Sequence, residues 1–371
     1  MCKWERNIII ALGLLVFLCS CADRSPLKIG LIADFSGRGS QLGPQARNAL
    51  TIAVDEINDD GGLLGRPVEL IYADHQYDPE LAKGEVRRLV SEGAQIIFGP
   101  MVSGMAAPVI EAAAESGTLV IASTVSTDTL TGIDDNFLRG VAPASFQGIY
   151  LARVVNSLDS RNLVFIMDSK NRVYTDGVLA GFYKEDPDLK DRTAAELYFE
   201  TKEDFPGLVE ALSEKNPDGI AFLANGIDSA GIIQLYAKEN DLPQLFGGSW
   251  PKVTGITQYA GKLSEGMIFI DTPVNDVPLE REKRFYETYR SLYSVNPNIA
   301  AIHTYESVKL YARAVRESGS TDSAVVKKTI VGMDSIEGLY DTFTIDEFGD
   351  GERAMSAFIL DNGEYKPYLM R

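Results

Sequence analysis

The chain has 371 residues, enough for two or more domains, and its 45% apolar and 24% charged composition is that of a folded protein rather than a disordered or collagen-like one. With 53 acidic against 35 basic residues the net charge is −18, and no basic run interrupts it, so the chain repels phosphate backbones and nucleic acid is excluded as a partner. The three cysteines, Cys2, Cys19 and Cys21, precede the body, which excludes disulfides and thiolate metal sites there, and His75 and His303 alone leave little material for a zinc site or a Ser-His-Asp triad.

The chain begins with an address. Lys3 and Arg6 form a short basic stretch, and Ile8 to Leu18 form an apolar run. That run is shorter than the about 20 residues a membrane-spanning helix needs, and it suits a signal-peptide core. It ends in Leu18-Cys19-Ser20-Cys21, which resembles a bacterial lipobox. The resemblance implies cleavage of residues 1–20 and lipidation of Cys21. Each buried CH₂ of an acyl chain contributes about 0.8 kcal/mol, so several chains would hold the protein at a membrane facing the periplasm or cell exterior.

From Leu27 onward strand-like apolar runs alternate with helical periodicity. Lys28–Phe35 reads as a buried strand. Pro44 opens a helix whose apolar residues, from Ala46 to Ile57, follow a 3.6-residue period until Gly61-Gly62. Val68–Ala73, Ile96–Phe98 and Thr118–Ile121 read as strands, with helices over Pro79–Ser91 and Gly104–Ser116. The alternation predicts a parallel sheet covered by helices on both faces. The rhythm then restarts. A helix over Ser145–Leu158 leads to strands at Leu163–Met167, Glu196–Phe199, Gly219–Leu223, Gln244–Gly247 and Met267–Ile270. Helices after Tyr174, near Phe205–Lys215 and near Asp228–Glu239 fall between them. Helices over Leu279–Tyr293 and Ala300–Arg316 precede a β-rich tail from Tyr340. Two α/β lobes of comparable size are expected.

The loop after the first strand reads G-x-G-x-x-x-G from Gly37 to Gly43, which misses the spacing of a dinucleotide fingerprint. Phosphate-loop, nucleophile-elbow and H-E-x-x-H motifs are absent, so nothing points to catalysis, a cofactor or a metal. The informative features are hydroxyl clusters at strand-to-helix turns. Ser103, in Gly99–Gly104, is expected at a helix N-cap, where it either caps the helix or joins free N–H groups in receiving a small carboxylate. A second cluster, Ser123–Thr127, follows the next strand. Both turns fall at the carboxyl edge of a parallel sheet, where ligands bind.

The body resembles the leucine/isoleucine/valine-binding type of bacterial periplasmic binding proteins, the receptors of ABC importers. The resemblance rests on Ile29–Gly43, on Ala49–Leu70 with its Gly61-Gly62 and Gly65-Arg66-Pro67-Val68-Glu69-Leu70, and on Gly99–Ser103 with Pro108. It continues through Leu119–Leu130 and Asp168, Tyr174 and Gly177. It implies two doubly wound parallel-sheet lobes, of the Venus-flytrap type, joined by three crossovers near Pro143, Thr272 and Ile345. One lobe is then 27–143 plus 273–345 and the other 144–272 plus 346–371, with a small solute held between them.

Carried over by position, Ser103 with Gly104 matches the carboxylate-binding turn. Thr124 supplies a main-chain carbonyl for an ammonium, and Ser126 a hydroxyl contacting both groups. Tyr174 closes from the second lobe, Leu42 and Tyr305 are walls, and Asn225 lies near a second-lobe aromatic. Where amino-acid binders of the family place an acid for the ammonium, this chain has Ser249. The expected ligand is therefore a carboxylate or amide without a free α-ammonium, or an amino acid held differently, with Asp228 or another acid reaching in. Trp250 either stacks on a flat or apolar ligand or packs in the second lobe's core. The family's disulfide has no counterpart. His75 and His303 read as structural.

The sequence thus predicts a lipid-anchored, monomeric solute receptor that hands its ligand to an ABC permease. A ligand-sensing lipoprotein on the same fold and an α/β enzyme are the alternatives.

Overall fold

A computed structural model describes residues 25–36, 41–253, 255–273 and 278–370. The signal segment, Cys21, and Gly37 and Gly39 of the first loop lie outside the described residues. The first sheet is fully parallel, with strands β1 (Leu27–Ala33), β2 (Val68–Asp74), β3 (Ala94–Phe98), β4 (Leu119–Ala122) and β5 (Phe137–Arg139) in the order β2-β1-β3-β4-β5. Helices α1 (Gly43–Asp59), α2 (Pro79–Ser91) and α3 (Ala106–Ala114) connect its strands. The inner strands β1, β3 and β4 are buried on both faces, so their alternate residues feed two cores. Leu119 and Ile121 pack with α1, while Val120 and Ala122 pack with α2 and α3.

The second sheet repeats that order. Strands β6 (Leu163–Asp168), β7 (Thr193–Phe199), β8 (Gly219–Leu223), β9 (Gln244–Gly247) and β10 (Ile268–Asp271) run parallel as β7-β6-β8-β9-β10. Its helices are α4 (Ala144–Ser157), α5 (Arg172–Glu185), α6 (Phe205–Lys215), α7 (Gly226–Tyr236) and the short α8 (Ser249–Val253) and α9 (Ile256–Ala260). The chain then returns to the first lobe as α10 (Glu280–Tyr293), α11 (Ile299–Ser318) and α12 (Ser323–Val331), with α11 against α1. A small antiparallel sheet follows, β11 (Ile336–Glu337), β12 (Thr342–Ile345) and β13 (Gly351–Glu352). Strands β14 (Ser356–Asp361) and β15 (Glu364–Pro367) extend the second sheet in antiparallel sense beyond β10. Side-chain caps fix several helix starts, as where Asp78 accepts from the Glu80 and Leu81 N–H groups ahead of α2.

The alternation of strands and helices follows the sequence reading closely. Strand β5 and helices α8, α9 and α12 were not expected. Residues 140–143, 272–279 and 353–355 connect the two sheets. The third passage therefore falls after Glu352 rather than near Ile345. Asp350 explains the delay, because its carboxylate accepts from Arg139 Nε at 2.8 Å at the end of β5, where Arg139 is fully buried. Breaking such a buried pair costs about 3–5 kcal/mol, which keeps this segment with the first lobe.

Candidate functional site

The carboxyl edges of both sheets face a common cleft. From the first lobe come Leu42 before α1, Met101, Val102 and Ser103 after β3, and Thr124 and Ser126 after β4. The β3 turn depends on Gly99, whose φ is +102° and whose absent Cβ would lie 2.0 Å from the Ile32 carbonyl oxygen. The turn does not make Ser103 a helix cap. A single 3₁₀ turn starts there, no side chain caps it, and the Ser103 hydroxyl instead accepts from the Ser126 N–H at 3.3 Å. That bond ties the two hydroxyl clusters together. The Thr124 hydroxyl donates to the Met101 carbonyl at 2.6 Å, bracing the same pair of turns.

The second lobe builds its side from side chains. Gln147 on α4 is buried, and its Oε1 accepts from the Tyr174 hydroxyl at 3.0 Å and from the Ser249 N–H at 3.1 Å. Burial pushes the Tyr174 phenol well above its ordinary pKa, so it remains a donor. Gly248 must lack a side chain here, since a Cβ would sit 2.5 Å from that hydroxyl and 2.7 Å from Gln147 Oε1. Trp250 meets Tyr174 edge-on, with ring centres 5.7 Å apart, and lines the cleft while packing against the second-lobe core. Of the two expectations for Trp250, the core packing is the one observed, with the ring also facing the cleft. Asp271, ending β10, also lines the cleft. Its Oδ2 accepts from Lys252 Nζ at 2.8 Å and its Oδ1 from the Thr272 N–H at 2.8 Å.

Bonds across the cleft join the lobes. Asn171 Oδ1 accepts from the Gly104 N–H at 2.9 Å, and the Thr127 hydroxyl donates to the Val173 carbonyl at 3.0 Å. The Gly104 N–H is therefore directed at Asn171 rather than at the cleft.

Seven of the anticipated residues line this cleft together, namely Leu42, Ser103, Thr124, Ser126, Tyr174, Ser249 and Trp250. Asn225 lies in a connected outer chamber, which shares Leu42, Val102 and Trp250 with the cleft, and it caps α7 by accepting from the Asp228 N–H at 2.9 Å. Asp228 is buried there, hydrogen-bonded to Asn225 Nδ2 at 2.6 Å, and lines neither space. It does not replace the missing acid. Tyr305 is not a wall either. Its hydroxyl donates to Glu56 on α1 at 2.6 Å, and its ring lies 4.5 Å from that of Phe285 on α10. His303, two residues earlier, lines the cleft instead, because two residues turn a helix by about 200°.

Sequence reasoning also missed Gln147, Asn171 and Asp271. Asp271 carried a signal, since it ends a strand on the ligand-binding edge. His75 is fully buried with its Nδ1 accepting from the Tyr77 N–H at 3.0 Å, a structural arrangement as anticipated. Among the described residues no cluster of side chains could hold a metal ion, and no helix is long and apolar enough to cross a membrane.

The periplasmic binding protein family model matches residues 26–364. The chain belongs to that family. This periplasmic binding protein is 23% identical over 318 residues, 82% of each chain, to the leucine-, isoleucine-, valine-, threonine- and alanine-binding protein of Pseudomonas aeruginosa. Among solved structures it resembles the branched-chain amino acid substrate-binding protein LivJ of Streptococcus pneumoniae in complex with isoleucine. That match has a TM-score of 0.82 and 22% identity, covering 92% of this chain and 98% of the other. A solute-binding protein of R. palustris in complex with benzoate gives a TM-score of 0.82 at 19% identity, covering 92% and 95%. These likenesses establish a type I periplasmic binding protein fold of the leucine/isoleucine/valine-binding kind. The periplasmic binding protein is thus an exported receptor for a small solute and not an enzyme.

Proposed function

We propose that the chain is the receptor of an ABC importer for a small carboxylate or amide without a free α-ammonium. Asp271 carries this reading. It is the only carboxylate among the described residues lining the inner cleft, and both its oxygens are engaged, one by Lys252 and one by the Thr272 N–H. A zwitterion would find hydroxyls for its carboxylate at Ser103 and Ser126 but no unpaired counter-charge for its ammonium. A hydrogen bond to a charged group contributes about 1.5–3 kcal/mol, so losing it decides between ligands of equal shape. The solved relatives hold isoleucine in one case and benzoate in another, so the fold admits both chemistries and the lining residues choose.

In this reading the ligand carboxylate meets Ser103 and Ser126. Tyr174, Ser249 and Trp250 close from the second lobe, and Leu42 and Thr124 complete the walls. Residues 27–143 and 273–352 move against the remainder by hinge closure, and the closed, monomeric form engages the permease. Cys21 carries the lipid anchor, and a Cys21→Ala chain is expected to lose labelled palmitate. In a chain beginning at Cys21, Trp250 is the only tryptophan, so its emission reports the cleft. A screen of carboxylates, amides and amino acids should change that emission for ammonium-free acids or amides and leave it unchanged for leucine, isoleucine and valine. Sub-micromolar binding of any of those three amino acids would overturn the reading.

A further inference from the structure

Gln147 is 4% exposed, and the open space beside it is the cleft. Its amide can be oriented in only one way. The Ser249 N–H, 3.1 Å away, is a backbone donor, so the atom it meets is the carbonyl oxygen Oε1 and the other terminus is the NH₂ group. Oε1 also accepts from the Tyr174 hydroxyl at 3.0 Å, so both its lone pairs are engaged. Nε2 has no protein partner among the described residues and remains accessible from the cleft. Helix α4 fixes where this donor stands. The Ala144 N–H at its start donates to the Ser126 carbonyl at 2.6 Å, and the Ser126 N–H in turn meets the Ser103 hydroxyl at 3.3 Å. Gln147 follows Ala144 by three residues, one turn on along the same side of the helix. Its NH₂ group is therefore within a side chain's reach of the two hydroxyls. An ammonium at that point would set donor against donor, whereas an oxygen would accept.

We propose that Gln147 is a specificity-determining residue whose Nε2–H donates to an oxygen on the carbon next to the ligand carboxylate, so that the solute is a 2-oxo acid. The carboxylate itself stays with Ser103 and Ser126. This assignment rests on the ammonium-free acid reading above and deepens it, because the position that an α-amino acid fills with a cation here takes an acceptor. Tyr174 and Ser249 act as positioning residues that hold Oε1 and so aim the NH₂ group. A ligand without that oxygen leaves the amide donor unpaired when the cleft closes over it, and loses affinity.

The test titrates the full chain with 4-methyl-2-oxopentanoate, 4-methylpentanoate and leucine, which share one carbon skeleton and differ at carbon 2. The oxo acid should bind about tenfold more tightly than 4-methylpentanoate, the effect of one hydrogen bond. Gln147→Glu keeps an oxygen for Tyr174 and Ser249 and replaces the donor by an acceptor, so it should abolish that preference. Gln147→Met, of similar length and with no donor, should bring the ratio of the two acids to about one. A merely structural glutamine would weaken both acids alike in either variant and leave their ratio at tenfold. A preference that survives both substitutions, or an oxo acid that binds no better than 4-methylpentanoate to the unmodified chain, overturns the assignment. If 4-methylpentanoate binds as tightly as the oxo acid and more tightly than leucine, the Gln147 assignment falls and the ammonium-free reading stands. If leucine alone binds, or none of the three does, both fall.

Discussion

In the first lobe the cleft is lined by hydroxyls that the backbone positions, Ser103 and Ser126 joined through one N–H at the ends of β3 and β4. In the second lobe, built on the same strand order, it is lined by a side-chain lattice in which Gln147 holds Tyr174 and Ser249. Each lobe also buries an ionic cluster at the cleft, but differently. On the first-lobe side, Glu306 and Asp341 hold Arg353 of the third connection behind His303, while in the second lobe Asp271 itself faces the ligand space with Lys252 against it. A scaffold repeated twice therefore lines one edge of the cleft with hydroxyls and the other with an amide, aromatic rings and an ion pair.

The largest expected effect separates the clusters by their role in folding. Burial alone would raise the Glu306 carboxyl, but the charge of Arg353 outweighs it and holds the group well below the usual carboxylate range. Arg353→Met would strand that charge and cost about 3–5 kcal/mol, read as a lower urea midpoint. A loss under 1 kcal/mol would show that the cluster carries no stability.

His75 directly follows β2 in the first lobe, so acid should weaken that lobe first. Burial lowers the His75 pKa to about 4, against the raising effect of the Asp74 charge. The unfolded ring titrates near ~6.5, so between ~6.5 and about 4 the unfolded state binds the extra proton. Stability is full above this window and falls by about 3 kcal/mol across it as pH drops. Urea unfolding of His75→Gln should show a smaller fall between the two ends of that window, whereas parallel curves would contradict the assignment.

Ser103→Ala removes one carboxylate partner from the first-lobe edge, and calorimetry with 4-methylpentanoate should show about 1.5–3 kcal/mol weaker binding. Unchanged affinity would take Ser103 out of the site. Lys252→Met should have the smallest and most selective effect. By freeing Asp271 it should shift the ratio of leucine to 4-methylpentanoate affinity about tenfold toward leucine. An unmoved ratio would mean that Asp271 does not read the ligand's charge.

The asymmetry between lobes also decided what was legible in the sequence. Ser103, Thr124 and Ser126 follow recognisable apolar strands, so their place on the binding edge could be read from chain order. Gln147 lies on a helix without a motif, and Asn171 matters only because Gly104 of the other lobe comes to meet it. No local pattern records such encounters. Tyr305 was misassigned because its helical phase, set by α1 and α10, turns it from the cleft and turns His303 toward it. β5 and α9 span too few residues for any periodicity to show, whereas α12 had a start signal in Asp322, whose side chain accepts from the Val325 N–H at 3.0 Å.

The central claim is that the cleft takes an acid and has no place for an ammonium. Leucine and 4-methylpentanoate share a carbon skeleton and a carboxylate and differ in that one charge. Paired calorimetric titration of the unmodified chain tests the claim directly. The account predicts that 4-methylpentanoate binds at least about tenfold more tightly than leucine, and tighter binding of leucine would contradict it.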